Sequence, residues 1–124
     1  MPDPRDDRSE TLAWRTRLLP GMEQEYTRVH RRIPEPVADA LRAAGVVRWR
    51  IWRDGITLFH AIETTDGMAE MGRRMALRGA VDPEWDELIA TMVDAAEGSY
   101  GSLPLVWGMD ARRQFDGGST AGSD

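Results

Sequence analysis

The sequence predicts an α+β domain in which one four-stranded antiparallel sheet carries helices on a single face. Three observations lead to it. Residues 11–19 alternate with the period of a strand: Leu12, Trp14, Thr16 and Leu18 share one side, and Ala13, Arg15, Arg17 and Leu19 the other. An Asp54-Gly55 pair separates two runs rich in β-branched and aromatic residues, as in a hairpin. Trp85, Leu88, Ile89, Met92, Val93 and Ala96 recur at helical spacing, the cleanest amphipathic stripe in the chain.

The elements follow in order. Pro20-Gly21 ends the first strand, and a helix over 22–32 follows until Pro34 and Pro36 interrupt it. A second helical piece over 37–44 places Val37, Leu41 and Ala44 on one face and stops at Gly45. Residues 46–53 form the second strand, and 56–64 the third, antiparallel to it across the turn. Asp66 is the candidate N-cap of a helix over 68–78, which Gly79 ends. Asp82-Pro83 restarts a helix, with Glu84, Asp86 and Glu87 in a first turn that favours acids, and Gly98 closes it. A last short strand covers 103–109.

Strand, helix, strand, strand, helix, strand, with each helix broken once, is the ferredoxin-like split βαβ arrangement. The face without helices needs a cover if it is apolar, and Trp14, Trp49 or Trp52, and Trp107 are candidates to line it. A second copy is the simplest cover, so a homodimer with sheets packed face to face is expected. Each subunit then keeps a pocket between sheet and helices. Residues 1–10 and 111–124 read as loose ends around a domain at 11–110, the tail from about Gln114 having a linker's composition.

At 124 residues the chain is long enough for one two-layer core. A net charge of -5 argues against nucleic acid or an anionic membrane as partner. With no cysteine there is no disulfide, thiolate metal site or cysteine nucleophile. No apolar run approaches the roughly 20 residues of a membrane span. Met1 to Arg8 lack the apolar segment of a secretory signal, so the cytoplasm is the expected location.

The chemistry concentrates at Tyr26 and His30. Four residues apart on a helix, phenol and imidazole fall on one face, with Met22 and Ile33 on the same stripe, so the pair points to a core or a pocket. Imidazole both gives and takes a proton near neutral pH, and a phenol beside it can orient a hydroxylated ligand. Two histidines far apart in sequence make no metal-binding motif, and such acid–base chemistry needs no metal or organic cofactor.

With these residues in view, the chain resembles the L-rhamnose mutarotase family of dimeric α+β barrels over 11–109. The most specific stretch runs from Pro20 to Gly45: the proline after strand one, Glu25-Tyr26, His30, Ile33 and Ala43-Ala44-Gly45 keep the family register without a gap. Ile51 to Asp54, Leu58-Phe59 and Glu63 look like the family hairpin, Trp85 falls at one of its paired tryptophans, and Val106-Trp107 at its final aromatic strand. The resemblance implies a dimer that interconverts the anomers of a free sugar, a reaction that needs no cofactor. It implies His30 as the catalytic histidine, with Tyr26 and Trp85 contacting the ligand. Departures also stand out. Trp49 replaces the usual tyrosine, Glu84 replaces the first tryptophan of the pair, Pro34-Glu35-Pro36 replaces Trp-Pro-Glu, and the Asn/Asp-rich segment before the last strand is missing. Reaction class is better supported than rhamnose itself.

Each signal also has a plain structural reading. Trp85 heads a helical stripe and is either core or ligand wall; Glu84 suits a helix first turn regardless of ligand. Trp14 and Trp107 read as interface or core. His60 shares a face with Leu58 and Ile62, and Leu-Phe-His-Ala-Ile-Glu loosely resembles aromatic polyketide cyclases on the same barrel. His60 in one cavity with His30 favours that alternative, above all in a large dry pocket; a small polar pocket favours sugar. A non-catalytic binding dimer is the third reading, favoured by a Tyr26–His30 pair sealed in core. Arg15, Arg17, Arg48, Arg50 and Arg53 either pair with acids on solvated edges or line the pocket for an anionic ligand. The expected site is His30 and Tyr26 for catalysis, with Trp49, Trp85, Glu84 and His60 on the sugar.

Overall fold

The computed structural model describes residues 10–96, 98 and 100–117. The chain runs β1 (Glu10–Arg17), α1 (Glu23–Val29), α2 (Glu35–Ala43), β2 (Val46–Asp54), β3 (Thr57–Thr64), α3 (Met68–Arg78), α4 (Pro83–Ala90), β4 (Gly101–Ser102), β5 (Trp107–Met109) and β6 (Gln114–Asp116). Four strands form one antiparallel sheet in the order β2-β3-β1-β4, so the fold is the expected α+β class.

The β2–β3 hairpin sets the register. Asp54 pairs with Thr57, leaving Gly55 and Ile56 as a two-residue loop. Its first position has φ +61°, which glycine adopts without strain. On β3, Leu58, His60, Ile62 and Thr64 are buried beneath the helices, while Thr57, Phe59, Ala61 and Glu63 alternate to the outer face. Cross-strand partners share a face, so Trp14 opposite His60 and Trp49 opposite Ile62 lie on the helix side. This corrects the expectation that Trp14 or Trp49 lines the bare face. Trp52, opposite Phe59, is the tryptophan there; Trp107 belongs to a separate β5–β6 hairpin.

Local chemistry accounts for the starts of α2 and α4. The Asp82 side chain accepts from the Trp85 N–H at 3.0 Å, and Pro83 opens α4. Pro36, read above as an interruption, sits in the first turn of α2, where its missing N–H costs nothing. Asp66 does not cap α3. It pairs with Arg74 at 2.9 Å, and the Met68 N–H is taken instead by the Glu10 carboxylate at 2.8 Å.

Helix ends are where distant pairing wins. The stripe through Val93 and Ala96 predicts a longer helix, yet α4 stops at Ala90. Beyond it the backbone pairs with the end of β1: Leu19 N donates to Met92 O, Asp94 N donates to Arg17 O, and Val93 bridges Leu18. The last sheet strand is also shorter and earlier than residues 103–109. Pro104 has no N–H for a ladder, and Gly101 admits the Arg15 side chain, which a Cβ would meet at 2.9 Å. The expected tail begins inside a hairpin, since Gln114–Asp116 pairs with Trp107–Met109 across the boundary drawn at 110. Of the loose ends expected at 1–10 and 111–124, Glu10 opens β1, and residues 1–9 and 118–124 lie outside the described residues.

Two apolar clusters hold sheet to helices. Leu18, Tyr26, Leu58 and Met92 form one; Ala44, Ile62 and Met71, with Trp14 packed against them, form the other. Between them along the sheet sit Thr16 on β1 and His60 on β3. Thr64 is fully buried, and its hydroxyl has no hydrogen-bond partner among the described residues. Thr64→Val keeps the shape and removes that orphan. Its urea midpoint should rise, by about 1 kcal/mol in unfolding free energy; a lower midpoint contradicts the assignment.

Candidate active site

The gap between the two clusters is a cavity of about 790 Å³, within the range of small-molecule sites. Thr16, Trp49, Ile51 and His60 of the sheet form its floor. Tyr26 and His30 close one side, Val37 and Leu41 of α2 and Met75 of α3 another, and Trp85 and Ile89 of α4 a third. Asp94 and Tyr100 stand at its rim.

Tyr26 lies in the last turn of α1 and His30 is the residue that ends it. The i, i+4 spacing stacks their rings with centroids 4.0 Å apart and planes 28° apart. His30 Nδ1 lies 3.1 Å from the Tyr26 carbonyl oxygen. A carbonyl only accepts, so Nδ1 carries the hydrogen and Nε2 is the lone-pair nitrogen. Nε2 has no partner among the described residues. Trp85 tilts against the same imidazole, centroids 5.3 Å apart. Burial pushes the His30 pKa below its ordinary value, and the bond to the Tyr26 carbonyl opposes that in part. Near neutral pH His30 is therefore a neutral base with one free nitrogen. Burial also pushes the Tyr26 hydroxyl up to about 12, so it stays a phenol.

His60 lines the same cavity, but both its nitrogens are engaged. The Trp49 indole N–H donates to Nδ1 at 3.3 Å, and Nε2 sits 2.9 Å from the Thr16 hydroxyl oxygen. Trp14 stacks on the ring with centroids 4.8 Å apart and planes 3° apart. Burial first, and then the charge of nearby His30, pushes the His60 pKa down to about 4. A histidine so held is a scaffold for its neighbours rather than a proton carrier at neutral pH.

Of the residues expected at the site, His30, Tyr26, Trp49, Trp85 and His60 meet in this cavity. Glu84 does not line it. It is exposed in the first turn of α4, where its carboxylate suits the helix N-terminus. None of the five strand arginines lines the cavity either. Arg48 pairs with Glu63 at 3.0 Å, Arg17 with Asp94 at 3.1 Å, and Arg53 donates to the Thr27 hydroxyl and the Gly55 carbonyl. Thr16 was missed as a site residue. Its signal was present, because it is the polar member of the Leu12, Trp14, Leu18 face.

Residues 11–110 match the family model described as L-rhamnose mutarotase. The chain belongs to the L-rhamnose mutarotase family. An L-rhamnose mutarotase of Burkholderia orbicola (strain MC0-3) is 50% identical over 48 residues, which is 39% of this chain and 46% of that protein. One from Paraburkholderia phytofirmans is 49% identical over 45 residues, covering 36% of this chain and 42% of that protein. The matched segment thus spans less than half the length of these relatives. The crystal structure of an L-rhamnose mutarotase from Formosa agariphila superposes with a TM-score of 0.63 at 22% identity, covering 82% of this chain and 99% of the other. That likeness shows that the family fold is shared. Among the described residues no cluster of His, Cys, Asp and Glu could hold a metal ion, and no helix is long and apolar enough to cross a membrane.

The burial of His60 has a measurable cost in acid. Its folded pKa of about 4 lies below the unfolded value of 6.5, so between them the unfolded chain binds more protons. The contribution to stability is complete above pH 6.5 and is lost as the pH falls toward 4. His60→Gln should flatten the fall in unfolding free energy across that window, measured by urea titration at stepped pH. Parallel curves for variant and wild type contradict the buried, neutral assignment.

Proposed function

We propose that this chain is a cofactor-free mutarotase interconverting the α and β anomers of L-rhamnose or a related deoxy sugar. His30 is the proton shuttle and Tyr26 the positioning group. The observation that carries the reading is the free Nε2 of a neutral His30 in an aromatic-walled cavity. In the forward step Nε2 takes the proton of the anomeric hydroxyl, the bond from that carbon to the ring oxygen breaks, and the carbonyl forms. The imidazolium then returns its proton to the ring oxygen. Both oxygens sit on one carbon, so one imidazole can serve both. After the carbonyl rotates, the same steps in reverse close the ring on its other face. Trp85 and Trp49 offer indole surface for the C–H faces of a sugar.

The functional unit in this reading is a homodimer, in the cytoplasm. Trp52 is 54% exposed on the outer sheet face, beside Phe59, Ala13 and Ala61, a surface that a second copy would bury.

The size of the cavity and the presence of both imidazoles favour a second reading, a cyclase or isomerase acting on an enolisable aromatic precursor. The engaged nitrogens of His60 weigh against it. A non-catalytic binding dimer loses its support because the Tyr26–His30 pair opens onto a cavity.

Saturation-transfer NMR of anomer exchange across a panel of deoxy sugars tests the assignment. His30→Ala should slow the catalysed exchange at least about 100-fold, the usual worth of a positioned acid–base group, while its circular dichroism stays that of wild type. Retained exchange in the variant removes His30 from the mechanism. The rate of the wild type should rise with pH and level off above an inflection that lies below 6.5, because the base form of His30 is required. A rate that falls over that range contradicts the base role.

A further inference from the structure

We propose that Trp49, His60 and Thr16 form a one-way hydrogen-bond chain that presents the Thr16 hydroxyl to the cavity as a fixed donor to the sugar oxygens at the reacting carbon. The inference rests on the mutarotase reading and supplies the second polar group that a lone imidazole lacks.

The direction of the chain follows from what each group can do. An indole N–H only donates, so the contact at 3.3 Å makes His60 Nδ1 the acceptor. A neutral imidazole with an acceptor at Nδ1 has its hydrogen on Nε2, and that hydrogen goes to the Thr16 oxygen at 2.9 Å. A hydroxyl that has accepted in this way still has one hydrogen to give. Among the described residues nothing accepts it, and Thr16 lines the cavity. The ring of His60 is held by the parallel stack on Trp14, so the hydroxyl is aimed by a rigid neighbour.

A neutral donor suits the step. As the ring bond breaks, its electrons move to the ring oxygen, and a hydrogen bond aimed there stabilises the developing charge. The Thr16 proton is not transferred; the one proton that moves passes from the anomeric hydroxyl to His30 Nε2 and back to the sugar. Thr16 therefore touches substrate, and His60 is a positioning residue that acts through it.

The test pairs Thr16→Val with Thr16→Ser, with L-rhamnose as the probe. Removing the hydroxyl while keeping the shape should lower kcat/KM for anomer exchange roughly tenfold, mostly in kcat, whereas serine should stay near wild type. Both variants should keep the His30 inflection in the pH–rate profile. In wild type, nitrogen chemical shifts of His60 should report hydrogen on Nε2 and a lone pair on Nδ1. Equal kinetics for Thr16→Val and wild type, an equal loss in Thr16→Ser, or a His60 hydrogen on Nδ1 overturns the chain. A wild type that binds L-rhamnose without exchanging its anomers overturns the mutarotase reading instead. The chain is then judged by affinity, which valine should weaken and serine should preserve.

Discussion

The hydrogen bond from His30 Nδ1 to the Tyr26 carbonyl decides what the cavity can do. It uses the second lone pair of a carbonyl that already accepts the His30 backbone N–H at 3.1 Å. It locks one tautomer and leaves the other nitrogen without a partner among the described residues. The same helix end stacks the phenol against the imidazole, so orientation and electronic state come from one short element.

Two imidazoles in one cavity behave differently because their partners differ. His30 faces an acceptor and keeps a free base. His60 faces a donor on one side and a hydroxyl on the other and keeps none. Burial lowers both pKa values, but only at His30 does the lowered value leave a nitrogen that a ligand can reach. Counting histidines in a pocket would have suggested a pair of equivalent proton carriers. The hydrogen-bond inventory separates them.

Much of this was legible in the chain itself. The start of α4 followed from Asp82-Pro83 and the end of α3 from Gly79, whereas the start of α3 was placed on an Asp66 cap that does not form. The Tyr26–His30 stack followed from simple helical spacing. What failed was local reasoning applied where distant backbone pairs. The stripe beyond Ala90 continues, but the peptide groups of Met92 and Asp94 bond to β1, a partner the stripe cannot name. The facing of Trp14 and Trp49 depended on register, which places Trp14 opposite His60 and Trp49 opposite Ile62. Thr16 was passed over because threonine on a strand is common. Its meaning comes from standing beside a buried imidazole on the next strand.

The pocket lies between two separate apolar clusters rather than inside one. Thr16, Ile51 and His60, which shape its floor, belong to neither, although Trp14 beneath His60 packs on one of them. Such an arrangement divides the labour of the sheet by position along each strand. Its outer thirds carry the apolar packing, and its middle third carries the polar network that faces the cavity. Replacements in that middle third therefore act first on the guest, while the two apolar clusters that flank it keep their own contacts.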